Sequence, residues 1–108
     1  MVVQYRQGDV LVVAVAAIPA GAVPVPRDGA DVVLAYGEVT GHRHAISERH
    51  AELLALPEAE IERRFLRITG ESALLVHEEH APVPLPPGAY EVVRQREYAP
   101  KAPRIVAD

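Results

Sequence analysis

From Val10 to Ala17 the chain is apolar at nearly every position. A short run of this kind, introduced by Gln7-Gly8-Asp9, predicts a strand buried on both faces. Asp31 to Tyr36 and Ala51 to Leu56 are two further strand-length apolar stretches. Arg63–Thr69 and Ser72–Glu78 flank Gly70-Glu71, which reads as a two-residue hairpin turn with glycine first. That turn would set Ile68 opposite Ala73, Leu66 opposite Leu75 and Arg64 opposite His77. A longer strand is expected from Tyr90 to Tyr98, with one wet face, and a short last one at Arg104-Ile105-Val106. Prolines and glycines between Pro19 and Ala30, and again from Pro82 to Gly88, mark loops and strand edges. Only Pro57 to Glu62 suits a helical turn, with proline first and acids following. Seven to eight short strands with almost no helical periodicity predict an all-β fold, a single small antiparallel barrel or sandwich.

Length and charge narrow the picture. At 108 residues, with no internal repeat or linker, the chain is expected to be one β domain spanning 1–108. It contains no cysteine, which excludes disulfides, thiolate metal sites and thiol nucleophiles and suits a reducing cytoplasm. A net charge of −4 gives no basic footprint for nucleic acid. No apolar run is long enough to span a bilayer as a helix, so no membrane association is expected. Val10 to Ile18 has the outline of a signal-peptide core, but Asp9 directly before it and Arg6 alone ahead of it favour a core strand.

The candidate chemistry lies in the histidines. There are five, and four fall in two short clusters, His42-Arg43-His44 and His77-Glu78-Glu79-His80. On a strand, side chains alternate faces, so His42 and His44 point the same way, about 7 Å apart, with Ile46 continuing their face. Arg43 is then aimed at water. His77 falls at the end of the apolar hairpin face and is expected to look into the same interior. His80 joins only if the strand bends or ends near Glu79. Glu78 and Glu79 are candidate partners for the far nitrogens of ligating imidazoles. Histidines hydrogen-bonded to neighbours, with no metal, are the competing reading. His50, beside Arg49, reads as a surface residue.

Two resemblances follow from these residues. Gly37-x4-His42-x-His44-x3-Glu48 resembles the first motif of the cupin superfamily, with a spacer one residue short. Pro86-Pro87-Gly88 resembles the turn of the second cupin motif, but Glu91 and Gln95 stand where a histidine and an asparagine would be expected. This resemblance implies a metal held by His42, His44, Glu48 and Glu91, and gives His77 and His80 no role. The stretches Gly-Glu-Val-Thr-Gly-His-x-His and His-Glu-Glu-His also resemble a family of small uncharacterised bacterial proteins, which implies no activity.

The two site arrangements compete. His42, His44 and His77, with His80, account for where the histidines cluster, and are preferred over the cupin set. Nitrogen and oxygen ligands without sulfur suit a divalent transition metal, zinc or iron foremost. Three protein ligands would leave a position open for water or a small-molecule ligand, as in a cupin-like metal-dependent enzyme. Four would suit a structural metal in a non-enzymatic accessory module, meeting a protein partner or a second copy of itself. No nucleophile elbow, phosphate loop or dinucleotide fingerprint is present, so no catalytic residue is assigned.

Overall fold

Val10 and Val12 are fully buried while Leu11 and Val13 are half-buried, the alternation of a strand whose outer face is partly covered. This strand and its neighbours appear in a computed structural model that describes residues 3–37, 41–57 and 61–95. The strands are β1 (Gln4–Gln7), β2 (Val10–Val15), β3 (Val23–Pro24), β4 (Val32–Tyr36) and β5 (Arg43–Ile46). They continue as β6 (Ala51–Leu56), β7 (Arg63–Ile68), β8 (Ala73–Leu75), β9 (Val83–Leu85) and β10 (Gly88–Arg94). No helix occurs among the described residues, and so none that is long and apolar enough to cross a membrane.

Six strands form one antiparallel sheet in the order β1-β2-β10-β7-β6-β3. Its register aligns Val12 with Val92, Tyr90 with Leu66 and Leu66 with Leu53, so these side chains share one face. That face packs against Val32, Leu34, Ile46, Ala73, Leu75 and Leu85 from two small antiparallel sheets, β4-β5 and β8-β9. A single bridge, Ala45 to Val76, links the two small sheets through both of its backbone hydrogen bonds (3.0 and 2.9 Å). The large sheet ends in unpaired edges at β1 and β3, so among the described residues the strands do not close into a barrel.

The Gly70-Glu71 hairpin does not form. Phe65, Leu66 and Ile68 are all buried, which makes β7 a central strand, and its two edges are taken by β6 and β10. Thr69 N–H bonds His50 O, continuing the pairing with the β6 side, and Glu71 N–H closes back on Thr69 O. With Gly70 at φ +80°, the chain turns out of the large sheet, and β8 pairs with β9 instead. Arg64 therefore stands between Ala55 and Val92 rather than opposite His77, and donates to Leu34 O at 3.3 Å. Residues 58–60 of the Pro57–Glu62 turn, the end of the Tyr90–Tyr98 strand and the 104–106 strand lie outside the described residues.

Candidate metal centre

The Ala45–Val76 bridge dictates what lies beside what. In antiparallel pairing, each step forward on one strand is a step back on the other, so 44 falls opposite 77, 43 opposite 78 and 42 opposite 79. The side chains follow that register. The His44 and His77 rings lie 4.3 Å apart between centroids, Arg43 N–H donates to Glu78 Oε1 at 2.8 Å, and His42 Nε2 is 3.8 Å from Glu79 Oε2. His42 meets the edge of His77 at 5.5 Å. Beyond Val76 the backbone bends, and His80 folds back to 4.7 Å from His77 and 6.1 Å from His44, nearly parallel to the latter. All four rings of the two clusters thus lie together, with His77 at the centre.

The β1–β2 turn builds the inner wall. Gln7 is buried, and its Nε2 donates to both Leu75 O and Ala81 O, each at 2.9 Å. Both amide hydrogens are used, so its Oε1, 2.8 Å from His44 Nδ1, must accept. His44 therefore carries its ring proton on Nδ1, which leaves Nε2 as a bare lone pair. That nitrogen faces Asp9 Oδ1 at 3.5 Å, while Asp9 Oδ2 accepts from Arg94 Nε at 2.9 Å. Between Gln7 and Asp9, Gly8 has φ +60°, and a Cβ there would come within 2.7 Å of His80 Nε2. Glycine is required at this position twice over, by backbone conformation and by the ring lying against it.

The electrostatics favour the unprotonated forms of His44, Asp9 and Glu78. Burial pushes the His44 pKa down to about 4, helped by His77 and opposed by Asp9. Burial raises Asp9, but its hydrogen bond and charge interaction with Arg94 outweigh that and hold the carboxyl below its ordinary value. Glu78, fully exposed, is also lowered, first by the Arg43 N–H it accepts. Donor atoms of His42, His77 and Glu78 all lie within 4.8 Å of one another. A tetrahedral ion with bonds of about 2.0–2.1 Å sets its ligands roughly 3.4 Å apart, so a modest closure would bring the three onto one cation. His77 Nδ1 accepts from Glu79 N–H at 3.0 Å, so a metal taking that nitrogen would replace one backbone hydrogen bond. Beside this edge is a hollow of about 270 Å³, lined by Asp31, Arg43, Ala45, Val76, His77 and Glu78.

Other predicted residues stand elsewhere. Glu48 Oε1 accepts from Leu74 N–H at 3.3 Å. Glu91 alternates with the inward Tyr90 and Val92, so it sits on the outward face of β10, in a two-pronged pair with Arg63 (2.9 and 3.0 Å). The cupin-type set of His42, His44, Glu48 and Glu91 is therefore not assembled. His50 Nε2 bonds Ser72 O at 3.0 Å and takes no part in the ring cluster. Arg43, expected to face water alone, pairs with Asp31 and with Asp28, which also accepts from Tyr36 OH at 2.6 Å. Gln7, Asp9 and Arg94 are the site residues that sequence reasoning missed. Gln7 and Asp9 read locally as a turn before an apolar run, and their partners lie dozens of residues away.

The profile of a family defined by a domain of unknown function, DUF8820, matches residues 6–95, and the chain belongs to that family. No curated protein and no solved structure is detectably similar to it.

Proposed function

We propose that this DUF8820 protein binds a divalent transition metal, zinc or iron, at the mouth of the histidine cluster, through His42, His77 and Glu78. The observation that carries this reading is the register of the Ala45–Val76 bridge, which aligns two histidine pairs far apart in sequence. His77 is half-buried and Glu78 exposed, so the bound ion would keep a face open to water. The adjoining hollow gives a small molecule room to reach it, and an open position with nitrogen and oxygen ligands suits metal-assisted hydrolysis or oxygen chemistry. The likeness to cupins then extends to His42 and to stacked antiparallel sheets, with His77 and Glu78 rather than His44, Glu48 and Glu91 completing the ligand set.

A second reading, a structural metal in an accessory module, is favoured by one observation. The ligands come from the residue before β5 and from the 77–80 bend, which a single bridge joins, so an ion there would tie the two small sheets together.

The test is zinc binding by tag-free protein, followed by calorimetry and elemental analysis. His42→Ala and His77→Ala should each lower the bound zinc, and His50→Ala should leave it unchanged. Equal zinc in all four proteins would sink the proposal.

A further inference from the structure

The mouth of the cluster does not use two of its best-oriented donors. His44 Nε2 is bare because Gln7 fixes the ring proton on Nδ1, and it looks directly at an Asp9 carboxylate oxygen. Two lone-pair atoms facing each other repel unless a cation or a bridging water satisfies both. At 3.5 Å the pair is too long for a charge-assisted hydrogen bond, which closes to about 2.7–2.9 Å. It is close to the roughly 3.4 Å that separates two ligands of one tetrahedral ion. A third imidazole lies over the same turn: exposed His80 packs its Nε2 against Gly8, its ring nearly parallel to that of His44 at 6.1 Å between centroids. It would swing inward to reach an ion held by the other two, since among the described residues only His42, His77 and Glu78 already have three donor atoms within 4.8 Å of one another.

We propose that the cluster has a second, inner cation position between His44 Nε2 and Asp9 Oδ1, with His80 as the third ligand. It is separate from the mouth position of His42, His77 and Glu78, and His77 lies between the two, 4.3 Å from His44 and 5.5 Å from His42. The inner position is of the kind that holds a borderline divalent ion such as zinc or cobalt, with two imidazoles and one carboxylate. Gln7 has the part that a carboxylate or carbonyl usually takes behind a ligating histidine, accepting the far N–H and setting the tautomer. Arg94 opposes the ion, because its guanidinium holds the other Asp9 oxygen at 2.9 Å. A two-position centre of this kind could hold two metal ions on one small scaffold, as many hydrolytic sites do.

The experiment is equilibrium dialysis of tag-free, metal-stripped protein against cobalt(II) and then zinc(II), with metal counted by elemental analysis. Wild type should bind two equivalents. Asp9→Asn should lose one of them, with inner-site affinity down at least about 100-fold, while His42→Ala loses the other. Because Asp9→Asn also weakens the Arg94 pair, Arg94→Gln serves as the matched control. It removes the same ion pair, leaves the carboxylate, and should retain two equivalents, the inner one bound more tightly. One equivalent in wild type, unchanged by Asp9→Asn, overturns the inner position and leaves the mouth reading standing. One equivalent that Asp9→Asn abolishes and His42→Ala does not would support the inner position and remove the mouth. No bound metal in wild type overturns both.

Discussion

Gln7→Leu is the substitution that most directly probes the site's framework. Leucine fills similar volume but makes none of the three hydrogen bonds of the Gln7 amide. Ala81 is exposed, so its carbonyl can turn to water. Leu75 is 1% exposed and His44 2%, so the Leu75 carbonyl and the His44 Nδ1–H would be left buried and unpaired. Each such orphan costs about 1–3 kcal/mol, and the more apolar side chain recovers part of this, for an expected net loss of about 3 kcal/mol. That is a large share of the roughly 5–15 kcal/mol that holds a small domain together, and should lower the melting temperature by more than about 10 °C. Urea denaturation followed by circular dichroism measures it, with the slope unchanged if the native and unfolded states keep their compactness. Nitrogen NMR of the histidine rings supplies the second readout. Wild-type His44 should be protonated on Nδ1 alone, the leucine variant should show both tautomers, and Gln7→Glu should keep the Nδ1–H while losing both carbonyl contacts. A cost below about 1 kcal/mol, or a wild-type His44 protonated on Nε2, would refute the network as described.

Acid should destabilise the metal-free protein before its carboxylates titrate. The His44 pKa is about 4 folded against 6.5 for an ordinary histidine, so the unfolded chain binds the extra proton and stability falls as the pH drops from 6.5 toward 4. The full loss is about 3 kcal/mol, read from urea midpoints at pH 7.5 and 4.5, and a His44→Gln protein should show a flatter profile. Chelation of metal-loaded protein should leave it folded with a modest drop in melting temperature, because the apolar core does not include the histidine cluster. Cooperative unfolding on chelation at neutral pH would instead favour the structural metal. Gly8→Ala should cost about 1–2 kcal/mol for its backbone conformation and push His80 off the turn, visible as weaker metal binding; full retention of both stability and binding would contradict the packing seen there.

Strands were easiest to read where the apolar pattern is local. Ala51 to Leu56 forms a strand over the expected residues, and Arg63 to Thr69 differs by only one. Burial on one or both faces writes itself into consecutive residues, so such segments are legible one at a time. Pairing is not. Gly70-Glu71 carries a fair local hairpin signal, yet β7 is a central strand whose two edges are taken by longer partners, β6 and β10. The histidine clusters do come together, but across the β5–β8 bridge rather than along the expected hairpin face. The inner wall was invisible for the same reason. Nothing near Gln7 in the chain announces that its amide reaches Leu75, Ala81 and His44, and Asp9 looks like any acid in a turn. Glu91 shows the opposite error, since a motif spacing placed it at a metal although strand alternation turns it outward.

Gln7 also serves as a gauge. A slip of two residues between β5 and β8 would leave every side chain on its present face, so hydrophobic burial alone could not reject the misaligned pairing. Such a slip would bring His42 or Glu79 to the place of its neighbour and scramble the donors while leaving the core much as it was. Gln7 grips His44 on one strand and the Leu75 carbonyl on the other at the same time, so its hydrogen bonds close at only one offset. One buried amide, supplied by a third segment of chain, thus measures the alignment of two strands that share a single rung.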